Sequence, residues 1–460
     1  MVMLTGAFIA VMSAVIVNVA LPSIRQDLGA SFAELTAVVA YYGLAYAMAL
    51  ITSGRLGDLY GRRRMFVVGL GAFTVASGLC ALAPTPMVLV ATRIVQGMAA
   101  ALMYPQVMSL IRVTFPDERV RATAFAALGI ALGLSAVAGQ VLGGLLVDMN
   151  PWGLAWRSVF LINVPIGLVT MVAAMRLIAE SRASTAHRLD LAGVLLSTAG
   201  LGLLLYALID ARTAGWPIST FVMLAIAALL LVLFVVHQRS RSAPGGAPLL
   251  DIALLTNRTF VIGIVMALVV HATIVGFPFL LAFVLQLGLS HTAFETGAIM
   301  APYAIAFMVT SLVVSRLIAR FGRTAVLATG ALLTALGFAL SAVVVSVITD
   351  ALGIHLIAAL MVVGAGQGLV LTPLLNTIMS GVPEDLAGAA SGLTSTMQQI
   401  GGAFGVAVIN LVYFGALEAA HATLLAAHAG AFRLGAGYAV LAALIAFVLV
   451  LLLPRKASGT

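Results

Sequence analysis

Charge is what this chain has least of. Only 8% of its 460 residues are Asp, Glu, Lys or Arg, against 63% hydrophobic, where a soluble domain is roughly one quarter charged. A chain so poor in charge cannot cover a water-facing surface, so most of its solvent is lipid. Its single cysteine, Cys80, lies in an apolar run, which excludes an intramolecular disulfide and a cysteine-based metal site. The 7 histidines show no ligand-like spacing, so no metal and no cofactor is expected. There is no Gly-rich phosphate loop, so ATP is not the energy source and an ion gradient or substrate exchange must be. His-Glu-x-x-His, Gly-x-Ser-x-Gly and Asp-rich motifs are also missing, so an intramembrane enzyme is not expected.

What the chain does have is a series of apolar runs near the 20 residues a spanning helix needs. They fall at 3–22, 34–53, 65–83, 87–111, 122–147, 158–179, 190–210, 217–236, 259–286, 296–315, 324–347, 353–379, 386–413 and 434–453. The first lacks the basic flank and small-residue cleavage site of a signal peptide and reads as a true span. An all-α membrane protein of fourteen spans follows, with both termini on one side of the bilayer.

The basic residues choose that side. With the N-terminus cytoplasmic, 18 arginines and lysines fall inside and 4 outside (Arg25, Arg157, Arg212 and Arg433), with Arg93 inside a span. That asymmetry is the positive-inside rule, and it accounts for the net charge of +8 without nucleic acid. A bacterial cytoplasmic membrane with both termini inside is the expected location. The longest polar connections, near 180–190 and 237–258, are linkers rather than domains; the second holds Ser240, Ser242, Pro244, Gly245, Gly246 and Pro248.

A repeat runs through the chain. Arg55-Leu56-Gly57-Asp58-Leu59-Tyr60-Gly61-Arg62 after span 2 is echoed 261 residues later by Arg316-Leu317-Ile318-Ala319-Arg320-Phe321-Gly322-Arg323 after span 10. Pro105 with Pro116-Asp117-Glu118 is echoed by Pro373 with Pro383-Glu384-Asp385, at offsets of 268 and 267. The shift is eight spans, so two six-span halves are interrupted by an inserted pair, spans 7 and 8. The expected division is residues 1–180, an inserted pair over 181–245, and 246–460. Repeated halves with a substrate site between them near the midplane are common in secondary transporters.

Several motifs stand on this frame. Gly54-Arg55-Leu56-Gly57-Asp58-Leu59-Tyr60-Gly61-Arg62-Arg63-Arg64 follows span 2: Gly54 permits close helix approach, Gly61 can take positive φ, and Asp58 can accept from a helix N-terminus or an arginine. Span 4 carries Arg93-Ile94-Val95-Gln96-Gly97. With Arg93 about 9 Å deep at 1.5 Å per residue, it faces a bundle interior or wet cavity, or it snorkels to the headgroups. Span 5 carries Ser135, Gly139, Gly143 and Gly144 at small-xxx-small spacing, which lets backbones approach. Val17-Asn18-Val19-Ala20-Leu21-Pro22 ends span 1, and Trp156-Arg157-Ser158-Val159-Phe160-Leu161-Ile162-Asn163-Val164-Pro165 enters span 6. Gln286 closes span 9, and Gln399-Ile400-Gly401-Gly402-Ala403-Phe404-Gly405 lies in span 13.

Together, and in order, these motifs from about residue 12 to about residue 412 resemble the fourteen-span drug:proton antiporters of the major facilitator superfamily. The resemblance implies the major facilitator fold and proton-coupled export of amphiphilic drugs by alternating access. It implies a conformational latch at Gly54, Asp58, Gly61 and Arg62, and cavity or coupling roles for Arg93, Gln96 and Asn18. It also implies an antiporter-type span 5, in which Gln140 stands where the family has proline, beside Gly139, Gly143 and Gly144. A further departure is in span 1: Ser13 stands where the family often carries Asp, so the familiar proton carrier is missing. All 15 acids lie toward the span ends, 7 outside and 8 inside. The mid-membrane titratable group is instead His271 in span 9, either a titrating cavity residue or a neutral histidine bonded to a neighbour. Expected partners are a small-molecule substrate, protons and the bilayer, and a monomer is expected. The competing readings are a transporter of one metabolite or lipid on the same scaffold and a transporter-like receptor.

Overall fold

The computed structural model describes residues 1–115, 117–182, 190–213, 217–241, 252–347, 352–380, 382, 387–419 and 424–454. Among them there is no strand. Fourteen long helices follow one another: α1 Val2–Leu28, α2 Phe32–Tyr60, α3 Arg62–Ala81, α4 Pro86–Thr114, α5 Glu118–Met149, α6 Asn163–Leu177, α7 Leu191–Thr213, α8 Ile218–Arg241, α9 Arg258–Phe283, α10 Ala293–Phe321, α11 Arg323–Val347, α12 Leu352–Met379, α13 Ala387–Ile409 and α14 Leu424–Leu451. Thirteen stretches are long and apolar enough to cross a membrane, and α7 adds the shorter Ala192–Leu204. Each expected span therefore has its helix.

Most helices outrun the apolar runs, because hydrocarbon offers the backbone no other hydrogen-bond partner and the polar ends simply continue the ladder. Thus α1 passes through Pro22 and stops only at Gly29, which takes a left-handed φ of 63°. Starts are set by caps. Ser31 and Glu34 form a reciprocal capping box at α2. Thr85 caps α4 ahead of Pro86, Asn257 caps α9, and Asp190 accepts from Gly193 N–H at α7. Span 6 is the exception in form: helical turns at Pro151–Gly153, Ala155–Arg157 and Ser158–Leu161 precede α6. Gln286 lies in a π-helical turn, Val284–Gly288, that extends α9.

The chain forms two compact units. The first is built on Met1–His237 and takes in His291–Ala298; the second is built on Leu250–Ser290 and Ile299–Thr460. Helix α7, and α8 as far as His237, group with the first unit. The proposed boundary at 245/246 lies outside the described residues.

Within each unit the same helices pair. In the first, α1 packs on α5, α3 on α4 and α3 on α6; in the second, α9 packs on α13, α11 on α12 and α11 on α14. The correspondence reaches single residues. A Cβ on Gly97 would overlap the carbonyl of Tyr42, and one on Gly364 would overlap the carbonyl of Tyr303. Gly69 lies against Ala99 O and Met103, and Gly330 against Gly366 O and Val370. Gly139 and Gly143 back onto the carbonyls of Met12 and Ile16, as Gly401 and Gly405 back onto those of Leu268 and Ala272. Pro22 and Pro278 share the 256-residue offset at which the carbonyl residues Met12 and Ile16 correspond to Leu268 and Ala272. Gly61 and Gly322, 261 apart, both take positive φ, 107° and 80°. Small residues at equivalent places let equivalent backbones touch, which is how helices gain packing without a hydrophobic driving force.

Candidate functional site

The first unit encloses a polar knot around Arg93. The guanidinium is fully buried, and an uncompensated buried charge is costly. Its Nε donates to Val38 O of α2 at 3.1 Å. One terminal nitrogen donates to Ser13 O of α1 at 3.3 Å and to Gln96 Oε1, one turn along α4, at 2.7 Å. The group stacks over Tyr42, 4.0 Å from the ring centre, with Phe160 at 5.9 Å. Gln96 passes the network on by donating to Ser77 Oγ of α3 at 2.7 Å. Arg93 thus ties four helices together inside one unit and does not snorkel.

The knot is incompletely satisfied. The second terminal nitrogen of Arg93 and Ser13 Oγ are buried without a hydrogen-bond partner, and so, farther along α1, is Asn18 Oδ1. Ser13 serves Arg93 through its backbone carbonyl, and its hydroxyl is free. Among the described residues no carboxylate pairs with Arg93, so the charge is balanced by carbonyl dipoles and an aromatic face.

The loop between α2 and α3 is docked on the end of α6. Glu180 accepts from the backbone N–H groups of Arg63 at 3.0 Å and Arg64 at 3.1 Å, capping α3. Arg62 N–H donates to Ser181 O at 2.9 Å, and the Arg63 guanidinium donates to Ile178 O at 3.2 Å. Gly61 is required twice: its φ of 107° disfavours any side chain, and a Cβ there would meet the Glu180 carboxyl at 2.7 Å. Gly61→Ala is therefore expected to cost about 1–3 kcal/mol, read as a lowered thermal midpoint of the purified protein. A midpoint equal to the wild type would mean that the loop does not need this conformation. The surroundings of Gly54 and the side chain of Asp58 lie outside what is described; the backbone of both belongs to the last turns of α2.

Helix α5 divides its glycines between two partners. Gly139 and Gly143 face α1, whereas Gly144 faces Ala293 and Phe294 at the start of α10. A Cβ on Gly297 would in turn overlap the Gln140 carbonyl. The Gln140 side chain is buried with its Oε1 unpartnered, and α5 runs unbroken as a 32-residue helix through this position. One turn beyond Gly144, Asp148 accepts from Ala293 N–H at 3.1 Å and Phe294 N–H at 2.8 Å. The capping pair Thr292 and Glu295 completes that helix start.

The second unit carries His271. Its Nδ1 lies 3.1 Å from Ala267 O, one turn back on α9, and the ring is partly exposed. Nearby on the same helix, Thr273 Oγ1 accepts from Gln367 Nε2 at 3.2 Å, and Tyr303 O–H donates to Gln367 Oε1 at 2.5 Å. Sequence reasoning missed Tyr42, Tyr303, Gln367, Asp148 and Glu180. The signal for the two tyrosines was present, since they stand at the 261-residue repeat offset. Nothing local marked the rest.

Two matches to the family model described as Major Facilitator Superfamily cover residues 3–193 and 184–406. The chain is 39% identical over 406 residues to a protein named probable actinorhodin transporter from Streptomyces coelicolor, covering 87% of this chain and 70% of that one. It is 35% identical over 460 residues to the cephamycin export protein CmcT of Amycolatopsis lactamdurans, covering 99% and 92%. Among solved structures, a POT family transporter in complex with 5-aminolevulinic acid superposes with a TM-score of 0.72 at 12% identity, covering 99% of this chain and 96% of that one. With its fourteen helices, its repeated set of helix pairings and these matches, the chain belongs to the major facilitator superfamily of membrane transporters.

Proposed function

We propose that this protein is a secondary transporter that exports amphiphilic drugs or toxic small molecules from the cytoplasm by alternating access, driven by protons. The observation that carries the reading is the run of relatives named for transport, export or resistance. To the two above is added the tetracenomycin C resistance and export protein of Streptomyces glaucescens, 33% identical over 413 residues, covering 88% of this chain and 74% of that one. The protein would sit in the bacterial cytoplasmic membrane, as a monomer, with both termini inside. Removing Cys80 leaves a thiol-free background, in which Ser242→Cys should label only from the cytoplasm and Thr213→Cys only from outside. Labelling of both from one face sinks the fourteen-span topology.

In this reading the loop carrying Gly54, Asp58, Gly61 and Arg62 latches one conformer, and α5 with Gly139, Gln140, Gly143 and Gly144 supplies a close-packed sliding face. Arg93, Gln96, Asn18 and Ser13 set the potential of the substrate path, and His271 is the proton carrier.

The sign of that potential makes a substrate prediction. A buried positive charge acts strongly through a low-dielectric interior, and among the described residues no carboxylate pairs with it. Neutral or weakly anionic amphiphiles are therefore expected to be exported in preference to dications. Flux in proteoliposomes with and without an imposed pH gradient tests both halves: efficient export of dicationic biocides defeats the electrostatic argument, and flux indifferent to the gradient defeats proton coupling. His271→Ala should remove the pH dependence more than it weakens substrate binding. Full proton-driven flux in that variant places the carrier among the acids at the helix ends.

A further inference from the structure

We infer that a cavity at the start of α3 binds the headgroup phosphate of an anionic phospholipid. The cavity, of about 380 Å³, lies between the first turns of α3 and the end of α6, and is lined by Arg63, Arg64, Arg182 and Glu180 with the apolar Val68 and Met175. Three guanidinium groups therefore face one carboxylate. That carboxylate is already engaged, since its two oxygens accept from the Arg63 and Arg64 N–H groups. Arg63 is engaged as well, through Ile178 O. Arg64 and Arg182 are exposed and their side chains have no ion-pair partner among the described residues. The positive end of the α3 dipole adds to their field.

The apolar wall decides what kind of anion fits. Val68 and Met175 are each 48% exposed, and Leu177 beside them is 74% exposed. These side chains belong to spanning helices, so the cavity has guanidinium groups at its rim and lipid-facing hydrocarbon below it. A soluble phosphate would use only the rim; a phospholipid uses both, with its phosphodiester on the arginines and its acyl chains along α3 and α6. Basic pockets between spanning helices recognise headgroups in this manner. The same residues dock the α2–α3 loop, so a bound lipid would brace that loop.

The test uses the full chain, delipidated in detergent, with phosphatidylglycerol, phosphatidylethanolamine and inorganic phosphate as probes, read by native mass spectrometry and thermal midpoint. One phosphatidylglycerol should be retained more tightly than phosphatidylethanolamine and should raise the midpoint. The double variant Arg64→Gln with Arg182→Gln should weaken it roughly thirtyfold. Arg182→Gln alone, at a position beyond the end of α6, should weaken it about fivefold and serves if the double variant does not fold. The charge-matched variant Arg316→Gln with Arg320→Gln, in the second unit, should leave it unchanged. The proposal is overturned if phosphatidylethanolamine binds equally, if inorganic phosphate displaces the lipid at equal concentration, if neither variant weakens it, or if the charge-matched variant weakens it as much.

Discussion

Arg93→Lys is expected to lower transport at least tenfold while the protein still inserts and folds. Lysine keeps the charge but not the geometry. The guanidinium reaches Val38 O, Ser13 O and Gln96 Oε1 from two nitrogens while lying flat on Tyr42; an ammonium at the end of a flexible stem cannot hold all four. Each hydrogen bond to a charged group is worth about 1.5–3 kcal/mol, and 1.4 kcal/mol is a factor of ten. Losing one of them suffices to redistribute two nearly balanced conformers. Gln96→Leu should act in the same direction, because it removes one Arg93 acceptor and the hydrogen bond that Ser77 Oγ accepts, while Ser77 keeps its own bond to Phe73 O. Initial rates in proteoliposomes, normalised to protein recovered as a monodisperse species, measure the effect. Wild-type rates in Arg93→Lys would show that charge alone is needed there. Ser13→Asp gives the converse: a carboxylate beside Arg93 should neutralise the knot and shift preference toward cations.

The second large effect is an asymmetry between repeat-related glycines. Gly401→Ala and Gly405→Ala should each destabilise the protein severely, and Gly139→Ala far less. The positions are equivalent, but the packing is not. A Cβ on Gly401 or Gly405 would overlap the α9 carbonyls of Leu268 and Ala272, whereas one on Gly139 would stand 3.2 Å from Met12 O. Backbone carbonyls cannot turn aside as a side chain can, so α13 must move off α9. Overpacking of this kind costs about 1–3 kcal/mol, occasionally more. Gly129→Ala and Gly437→Ala, with nothing within 4 Å of the added carbon, are the controls. Thermal midpoints rank the set. Equal losses at Gly139 and Gly401 would mean that the two units pack alike and that the tighter seam is not a property of the protein.

Legibility differed by kind of residue. The motif of α4 placed Arg93 and Gln96 together because they are three apart on one helix, and the helix delivers them to one face. Depth alone left Arg93 between a buried role and snorkelling, and its partners on α1 and α2 resolve that. Ser13 stands out in the sequence for the aspartate it replaces; its actual contribution, a main-chain carbonyl, carries no side-chain signature. Pro22 looked like the end of a span. The helix runs six residues further to Leu28, because neither lipid nor neighbouring helices offer the backbone a better state.

Composition and run length by themselves determined that this chain is a many-span helical membrane protein, since hydrocarbon excludes every spanning alternative but helices and closed barrels. Internal spacing determined the two-half plan, since equivalent motifs recur at nearly constant offsets. The tertiary structure alone decided which groups complete the polar sites. Glu180 caps α3 from 117 residues away, and Asp148 caps α10 from 145 residues away. It also decided that Gly144 serves α10 while Gly143, its neighbour, serves α1. Hydropathy and periodicity report the environment of a helix face averaged over turns. They carry no record of which distant backbone that face meets, and it is such single contacts that satisfy a buried charge or an uncapped helix.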